Sequence, residues 1–433
     1  MQTRFTAEQL KDSSTRASES ILRNCVHCGF CSATCPTYLL EGDELDSPRG
    51  RIYLIKDMLE SGRPATAEVV RHVDRCLSCL GCMTTCPSGV HYQHLVDHAR
   101  AHIEASYRRP WSDRVLRRAL AAVLPYPHRF RWLLALARAV RPLAPLLPAR
   151  LGAALRLVPP GRPARRAASM PAENPAARQP EASPASPQLR VAMLTGCVQS
   201  VLGSAANAAT RRLLERMGCE VVDINGCCGS LTHHLGQTGA TREFARRLAS
   251  SLARADARAP LDAIVVNASG CGTHLKDLGF VFRDEPELAP AALRISELTR
   301  DVSEFVAARG LPAVVHPARL RVAYHSACSL QHGQRIQVAP RELLAAAGFG
   351  VVEIPEGHVC CGSAGTYNML QPELAQRLAG RKLAEIAKLE IDVIAAGNLG
   401  CMTQLATGAS RPIVHTVELL DWATGGPRPP ALD

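Results

Sequence analysis

Two cysteine runs constrain this chain more than anything else in it. Cys25-Val-His-Cys28-Gly-Phe-Cys31-Ser-Ala-Thr-Cys35-Pro36 has the spacing C-x2-C-x2-C-x3-C-P, and Cys76-Leu-Ser-Cys79-Leu-Gly-Cys82-Met-Thr-Thr-Cys86-Pro87 repeats it 51 residues later. Three closely spaced thiolates wrap three corners of a cubane [4Fe–4S] centre, and in paired runs the fourth cysteine reaches the other centre. By that rule Cys25, Cys28, Cys31 and Cys86 hold one cluster, and Cys76, Cys79, Cys82 and Cys35 hold the second. Pro36 and Pro87 turn the chain away after each run. A zinc site would instead use paired C-x2-C knuckles. His27, between ligands, reads as a surface or hydrogen-bonding residue.

Between the runs, Ser47-Pro48-Arg49-Gly50-Arg51 precedes Ile52-Tyr-Leu-Ile-Lys-Asp-Met-Leu-Glu60, apolar at helical spacing. An insertion of that length resembles the helical ferredoxin domain of respiratory dehydrogenase iron–sulfur subunits, not the compact hairpin type. The chain carries 17 cysteines in 433 residues, yet its start is polar and lacks the apolar stretch of a signal peptide. It also lacks about 18 consecutive apolar residues that would suggest a membrane span. The expectation is a reducing, cytoplasmic setting, in which cysteines serve as metal ligands or reactive thiols, not as a disulfide scaffold.

The net charge of +11 is local. From Arg108 to Arg166 there are 14 arginines, no lysine and one acid, Asp113, or +13, which leaves −2 for everything else. Arg114 to Leu157 reads as short Leu/Ala/Arg helices broken by prolines, with an amphipathic helix expected over Arg129–Arg141. Pro159 to Pro187 reads as a Pro/Ala/Ser linker. Arginine beside Phe130, Trp132 and leucine suits an interface with anionic lipid. It also suits a helical hairpin packed on its own domain or on a partner, with its arginines solvated. Nucleic-acid binding fits poorly, since there is no lysine here and no nucleic-acid fold signature.

Beyond residue 189 the pattern alternates β-rich runs with Ala/Leu helices. Leu189–Thr195 leads to Cys197, Glu220–Ile224 to Cys227-Cys228-Gly229, and Leu261–Asn267 to Cys271. Leu320–His325 leads to Cys328, Val351–Ile354 to Cys360-Cys361-Gly362, and Ile391–Ala395 to Cys401. The corresponding cysteines are offset by 131, 133 and 130 residues, which marks an internal repeat with cysteines after strand ends. The repeat resembles the cysteine-rich CCG domain of heterodisulfide reductases. Full versions close each half with C-x2-C, whereas Ala268 and Asn398 stand here at the first position of that pair. The four cysteines left in each half suit one further cluster, a zinc or thiol-redox site, or packing. Cys219 reads as a buried thiol. Gly362-Ser-Ala-Gly365 reads as a cysteine-loop turn, since no Lys-Ser/Thr follows it. His233, His234, His325 and His332 are candidates to hydrogen-bond cluster sulfur, or ordinary satisfied polar groups.

No G-x-G-x-x-G fingerprint follows any predicted strand, so the chain has no evident hydride acceptor and no catalytic residue is assigned. Ile21–Cys31, Gly42–Lys56 and Cys360–Tyr367 are similar to the iron–sulfur subunit family of bacterial glycolate oxidase. The resemblance implies a helical ferredoxin-type domain (1–110), a basic helical segment and linker (111–188) and two α/β CCG units (189–315 and 316–433). It also implies two [4Fe–4S] clusters, FAD in partner flavoprotein subunits only, and electron relay from glycolate oxidation toward a membrane acceptor such as quinone. Iron–sulfur subunits of D-lactate, anaerobic glycerol-3-phosphate dehydrogenase or heterodisulfide reductase complexes remain alternatives, as does a redox sensor without a dehydrogenase partner.

Overall fold

Local capping signals set the helices of the N-terminal half. The computed structural model describes residues 1–146, 149–159 and 189–433. The expected linker lies outside these residues, Pro159 excepted. Asp12, Ser47 and Thr66 cap the helices Ser13–Asn24, Pro48–Ser61 and Ala67–Asp74 by accepting backbone N–H bonds with their side chains. Pro48 sits in the first turn of its helix, and Gly62 closes it in the left-handed conformation. Their apolar stripes meet the helix Tyr92–Ser106 in a core built on Leu22, Ile55, Val73, Leu95, Val96 and Ile103. Gly50 is required: a Cβ there would sit 2.0 Å from the Glu44 carbonyl oxygen.

The C-terminal half holds two four-stranded sheets, parallel throughout. Strands β1 (Arg190–Leu194), β2 (Glu220–Ile224), β3 (Ala263–Val266) and β4 (Thr299–Asp301) are ordered β2-β1-β3-β4. Strands β5 (Arg321–His325), β6 (Gly350–Glu353), β7 (Val393–Ala396) and β8 (Ile413–His415) repeat this as β6-β5-β7-β8. Central strands buried on both faces are expected of a parallel sheet between helices. Side-chain alternation then divides the cores. Val191 and Val265 of the first sheet share a buried cluster with Val322, Tyr324, Val393 and Ala395 of the second. Ala192, Leu194, Ile264 and Val266 face a separate core of the first unit, while Ala323 and Ile394 face one of the second.

Polar contacts close the seam between the units. His415 Nε2 lies 2.8 Å from the Asn267 carbonyl oxygen, and Arg212 and Arg216 of the first unit clamp the buried Asp421 of the second.

The basic segment forms a helical arm, Trp111–Val123 and Pro127–Val140, followed by a 3-10 stretch Arg141–Leu146 and the helix Ala149–Arg156. Its inner side packs Leu120, Leu124, Phe130, Leu134 and Val158 on Val201 and Leu235 of the first unit and Leu370 of the second. Arg109 and Arg117 anchor its root to Asp74 of the helical domain at 2.6 and 2.8 Å. The hairpin reading is therefore correct for one face of this arm. Among the described residues, no helix is long and apolar enough to cross a membrane.

Candidate iron–sulfur centres

The helical domain brings its eight motif cysteines to two adjoining pockets. Cys25, Cys28, Cys31 and Cys86 line the first, together with Pro48, Arg49 and Ile52. Cys35, Cys76 and Cys79 line the second, together with Arg51 and Leu80. Cys82 and Tyr92 border both. Each fourth cysteine thus lies with the other run's triplet. Tight left-handed turns at His27, Ser78 and Leu80 allow the ligand loops to curl around the pockets, and the Ser78 amide donates to Cys76 Sγ at 3.4 Å. His27 itself is exposed.

Buried polar side chains fix the second pocket from behind. Arg51 donates to Cys35 Sγ at 3.7 Å, to Thr37 Oγ1 at 2.9 Å and to the His72 carbonyl at 2.7 Å. Asp46, fully buried, balances Arg51 at 3.2 Å and Arg75 at 2.5 Å. From the opposite side Arg100 grips the Cys76–Ser78 turn through the Cys76 carbonyl (2.7 Å) and Ser78 Oγ (2.6 Å). Burial pushes the Cys31 thiol up to about 11, helped by Cys25, Cys35 and Cys86. Desolvation also raises Cys79 and Cys82 well above the usual thiol range. Converging thiols, these three held in the neutral form, suit a group whose iron supplies the compensating charge. The donor set therefore fits a cubane cluster in each pocket.

The eight repeat cysteines form two further groups. In the first unit Cys197 follows β1, Cys227-Cys228 follow β2, and Cys271 opens the helix Ser269–Val281 after β3. Hydrogen bonds from Cys227 and Cys271 hold the Cys228 thiol low; the contact with Cys197, then that with Cys228, pushes Cys227 up, and the Cys228 contact pushes Cys271 up. In the second unit Cys328 Sγ and Cys360 Sγ are 3.7 Å apart. Cys361, Cys401 and a His325 ring nitrogen lie within 4.8 Å of one another. His325 Nε2 is buried and has no hydrogen-bond partner among the described residues. Asn398, where the absent cysteine would stand, donates to Cys401 Sγ at 3.3 Å.

The two groups have different neighbours. Cys79 of the second pocket is buried in one apolar cluster with Leu77, Val359, Cys360 and Tyr367, and Cys328 packs against it. The first unit's Cys197 and Cys227 pack with Phe244 beneath Tyr126 of the arm. All 17 cysteines are free of disulfides. Cys219 is a thiol in the shared core. Gly362, at φ +86, turns the chain where a Cβ would lie 2.5 Å from the Ala375 carbonyl oxygen, so Gly362–Gly365 is a cysteine-loop turn.

The histidines divide. His332 braces the helical domain: its Nδ1 lies 2.7 Å from Thr84 Oγ1 and its Nε2 3.3 Å from the His358 carbonyl oxygen. His233 pairs with Asp97 at 3.1 Å, and beside it the half-buried His234 has an enclosed Nδ1 with no hydrogen-bond partner among the described residues. His274, three residues past Cys271 and one helical turn along, faces the Cys228 loop: its Nε2 would be 3.5 Å from a Cβ on Gly229. That i, i+3 spacing from Cys271 was the available sequence signal for it. Asp46, Arg51, Asp97 and Arg100 carried none, because only the tertiary fold brings them to the pockets.

Two adjoining pockets, each lined by converging thiols from both runs, define an iron–sulfur electron carrier. A family model described as a 4Fe-4S dicluster domain matches residues 21–90, and one described as a cysteine-rich domain (CCG) matches 191–276 and again 322–406. The Escherichia coli K12 glycolate oxidase iron–sulfur subunit is 38% identical over 430 residues, covering 98% of this chain and 99% of that one. A probable glycolate oxidase iron–sulfur subunit from Bacillus subtilis is 29% identical over 429 residues, or 95% and 96% of the two chains. The chain belongs to the family of glycolate oxidase iron–sulfur subunits. Lactate utilization protein A of Bacillus licheniformis is 26% identical over 243 residues, which cover 54% of this chain and 99% of that protein. A crystal structure of a hypothetical protein from Helicobacter pylori shares the fold, with a TM-score of 0.54 at 12% identity over 98% of this chain and 76% of the other.

Proposed function

We propose that this chain relays electrons within a flavin-dependent complex that oxidises glycolate to glyoxylate, with FAD in partner subunits and a membrane acceptor such as quinone. The observation that carries the reading is the placement of the cysteines. Each of two pockets is lined by the three leading thiols of one run and the fourth of the other, Cys86 or Cys35, and Cys82 borders both. Cys25, Cys28, Cys31 and Cys86 would hold one [4Fe–4S] cluster; Cys76, Cys79, Cys82 and Cys35 would hold the second. When bound, such clusters supply one-electron transfer.

The protein's own groups set the conditions for it. Cys28 and its neighbours Val26 and Phe30 are exposed, so the first site opens to a partner surface. The second is enclosed, with Arg51 and the Ser78 amide directed at its sulfurs. Behind it, Cys328, Cys360, Cys361 and Cys401 would hold a further centre that lengthens the series, and His325 faces it. Cys197, Cys227, Cys228 and Cys271 form the corresponding group of the first unit, away from the series. The expected location is the cytoplasmic face of the cell membrane, held peripherally.

The test is anaerobic iron and sulfide analysis with EPR, before and after glycolate is added to the chain alone and to the assembled complex. Glycolate should reduce the centres only in the complex, and Cys35→Ser should lose the centre of the Cys76 run. Loss confined to the Cys25 run would overturn the ligand assignment. Faster reduction by D-lactate or glycerol 3-phosphate would transfer the subunit to another dehydrogenase.

A further inference from the structure

The arm has a second face that no other described residues cover. On Pro127–Val140 the buried Phe130 and Leu134 point to the cysteine-rich units. At 100° per residue Trp132 and Leu136 project on the opposite side, and they are 80% and 62% exposed. On Trp111–Val123 the outward stripe is Trp111, Val115, Arg118 and Ala122, spaced i, i+4, i+7, i+11. Leu143 and Leu146 extend the exposed apolar surface beyond the second helix. Among the described residues, seven of the fourteen exposed large apolar side chains therefore lie between residues 111 and 146. A surface helix in water is normally apolar on one side only, and apolar surface concentrated in this way marks an interaction face.

Charge selects the occupant. From Arg108 to Leu146 there are nine arginines and one acid, Asp113, and that acid lies inward between Arg109 and Arg117. Arg114, Arg118, Arg129 and Arg131 are exposed around the tryptophans. Tryptophan and leucine at the centre of an arginine field match the headgroup–acyl boundary of an anionic bilayer, where an apolar tip is buried while guanidinium groups meet phosphates. Each such cation contributes independently of shape, so a fluid surface satisfies them all.

We propose that the outward face of this arm, centred on Trp132 and Leu136, binds anionic phospholipid and lays the subunit on the membrane. This deepens the membrane-acceptor reading by naming the contact surface. Its failure would leave the iron and EPR results untouched, so the two stand or fall separately.

The experiment is cosedimentation of the full cluster-loaded chain with vesicles of equimolar phosphatidylglycerol and phosphatidylcholine, against phosphatidylcholine alone. Binding is expected only to the anionic vesicles, to fall in high salt, and to drop tenfold or more in a Trp132→Glu/Leu136→Glu variant with unchanged iron content. Should that variant fold poorly, the unmodified chain still decides. Two of its three tryptophans, Trp111 and Trp132, lie on this face, so brominated anionic lipid should quench most of its tryptophan emission. Absence of binding and quenching overturns the proposal. So does a variant that keeps its lipid affinity but no longer assembles with the flavoprotein subunits, which would make this face a protein interface.

Discussion

The two cysteine-rich units share strand order, register pattern and four corresponding cysteines, yet they sit in different company. The second presses Cys328 and Cys360 against Cys79 of the helical domain. The first lies beneath the basic arm, and no cysteine of the helical domain joins its buried cluster. Where the closing cysteine is missing, the second unit has an amide aimed at sulfur and the first has Ala268, which has none to offer. A duplicated fold thus sets one copy's cysteines against those of the helical domain and the other copy's beneath the arm.

The sharpest way to break that contrast is to mutate equivalent thiols. Cys360→Ser should alter the EPR signal of the Cys76–Cys79–Cys82 centre and remove about four irons per chain, the content of one cubane. Cys227→Ser should leave that signal unchanged. Equal effects would erase the distinction.

The seam between the units gives the next two effects. In the neutral imidazole of His415, Nδ1 accepts from the Val417 amide and Nε2–H donates to the Asn267 carbonyl. Burial holds this group down to about 4. A depressed folded-state value means that its stabilisation is complete above the unfolded value of about 6.5 and lost as pH falls toward about 4. A shift of that size corresponds to about 3 kcal/mol. Denaturant titrations from pH 7 to pH 4 should show that dependence shrink in His415→Asn. Asp421→Asn keeps the shape of the seam but removes the charge between Arg212 and Arg216, and should cost about 2 kcal/mol at neutral pH. It should have no counterpart in a change at exposed Glu297.

The smallest effect refines the comparison at a single atom pair. Asn398→Ala makes the second unit resemble the first at this position. Loss of one N–H to sulfur bond, about 1 kcal/mol, should lower the potential of a centre held there by about 40 mV for a one-electron couple. A redox titration followed by EPR would detect it.

Much of this was legible in the sequence where information is local. Ligand spacing located both motif loops, and β-rich runs between Ala/Leu helices located the strands that lead to the repeat cysteines, β2 to the residue. The edge strands β4 and β8, three residues each, were too short to stand out. Ser47-Pro48-Arg49-Gly50-Arg51 announced a helix start, but not that Arg51 would reach Cys35 across the fold. The basic segment left two readings open because its helices are apolar on two sides, and only the tertiary structure separates the side that packs from the side that does not.

The shared core beneath both sheets carries an evolutionary consequence. Val191 and Val265 have no independent interior to retreat to; they are covered by Val322, Tyr324 and Val393 of the other copy. Deleting the first unit would strip the second of half its hydrophobic interior, even if every thiol in the first were idle. Selection can therefore relax on the chemistry of one copy while still retaining its scaffold, and a duplicated redox module becomes free to specialise without becoming free to shrink.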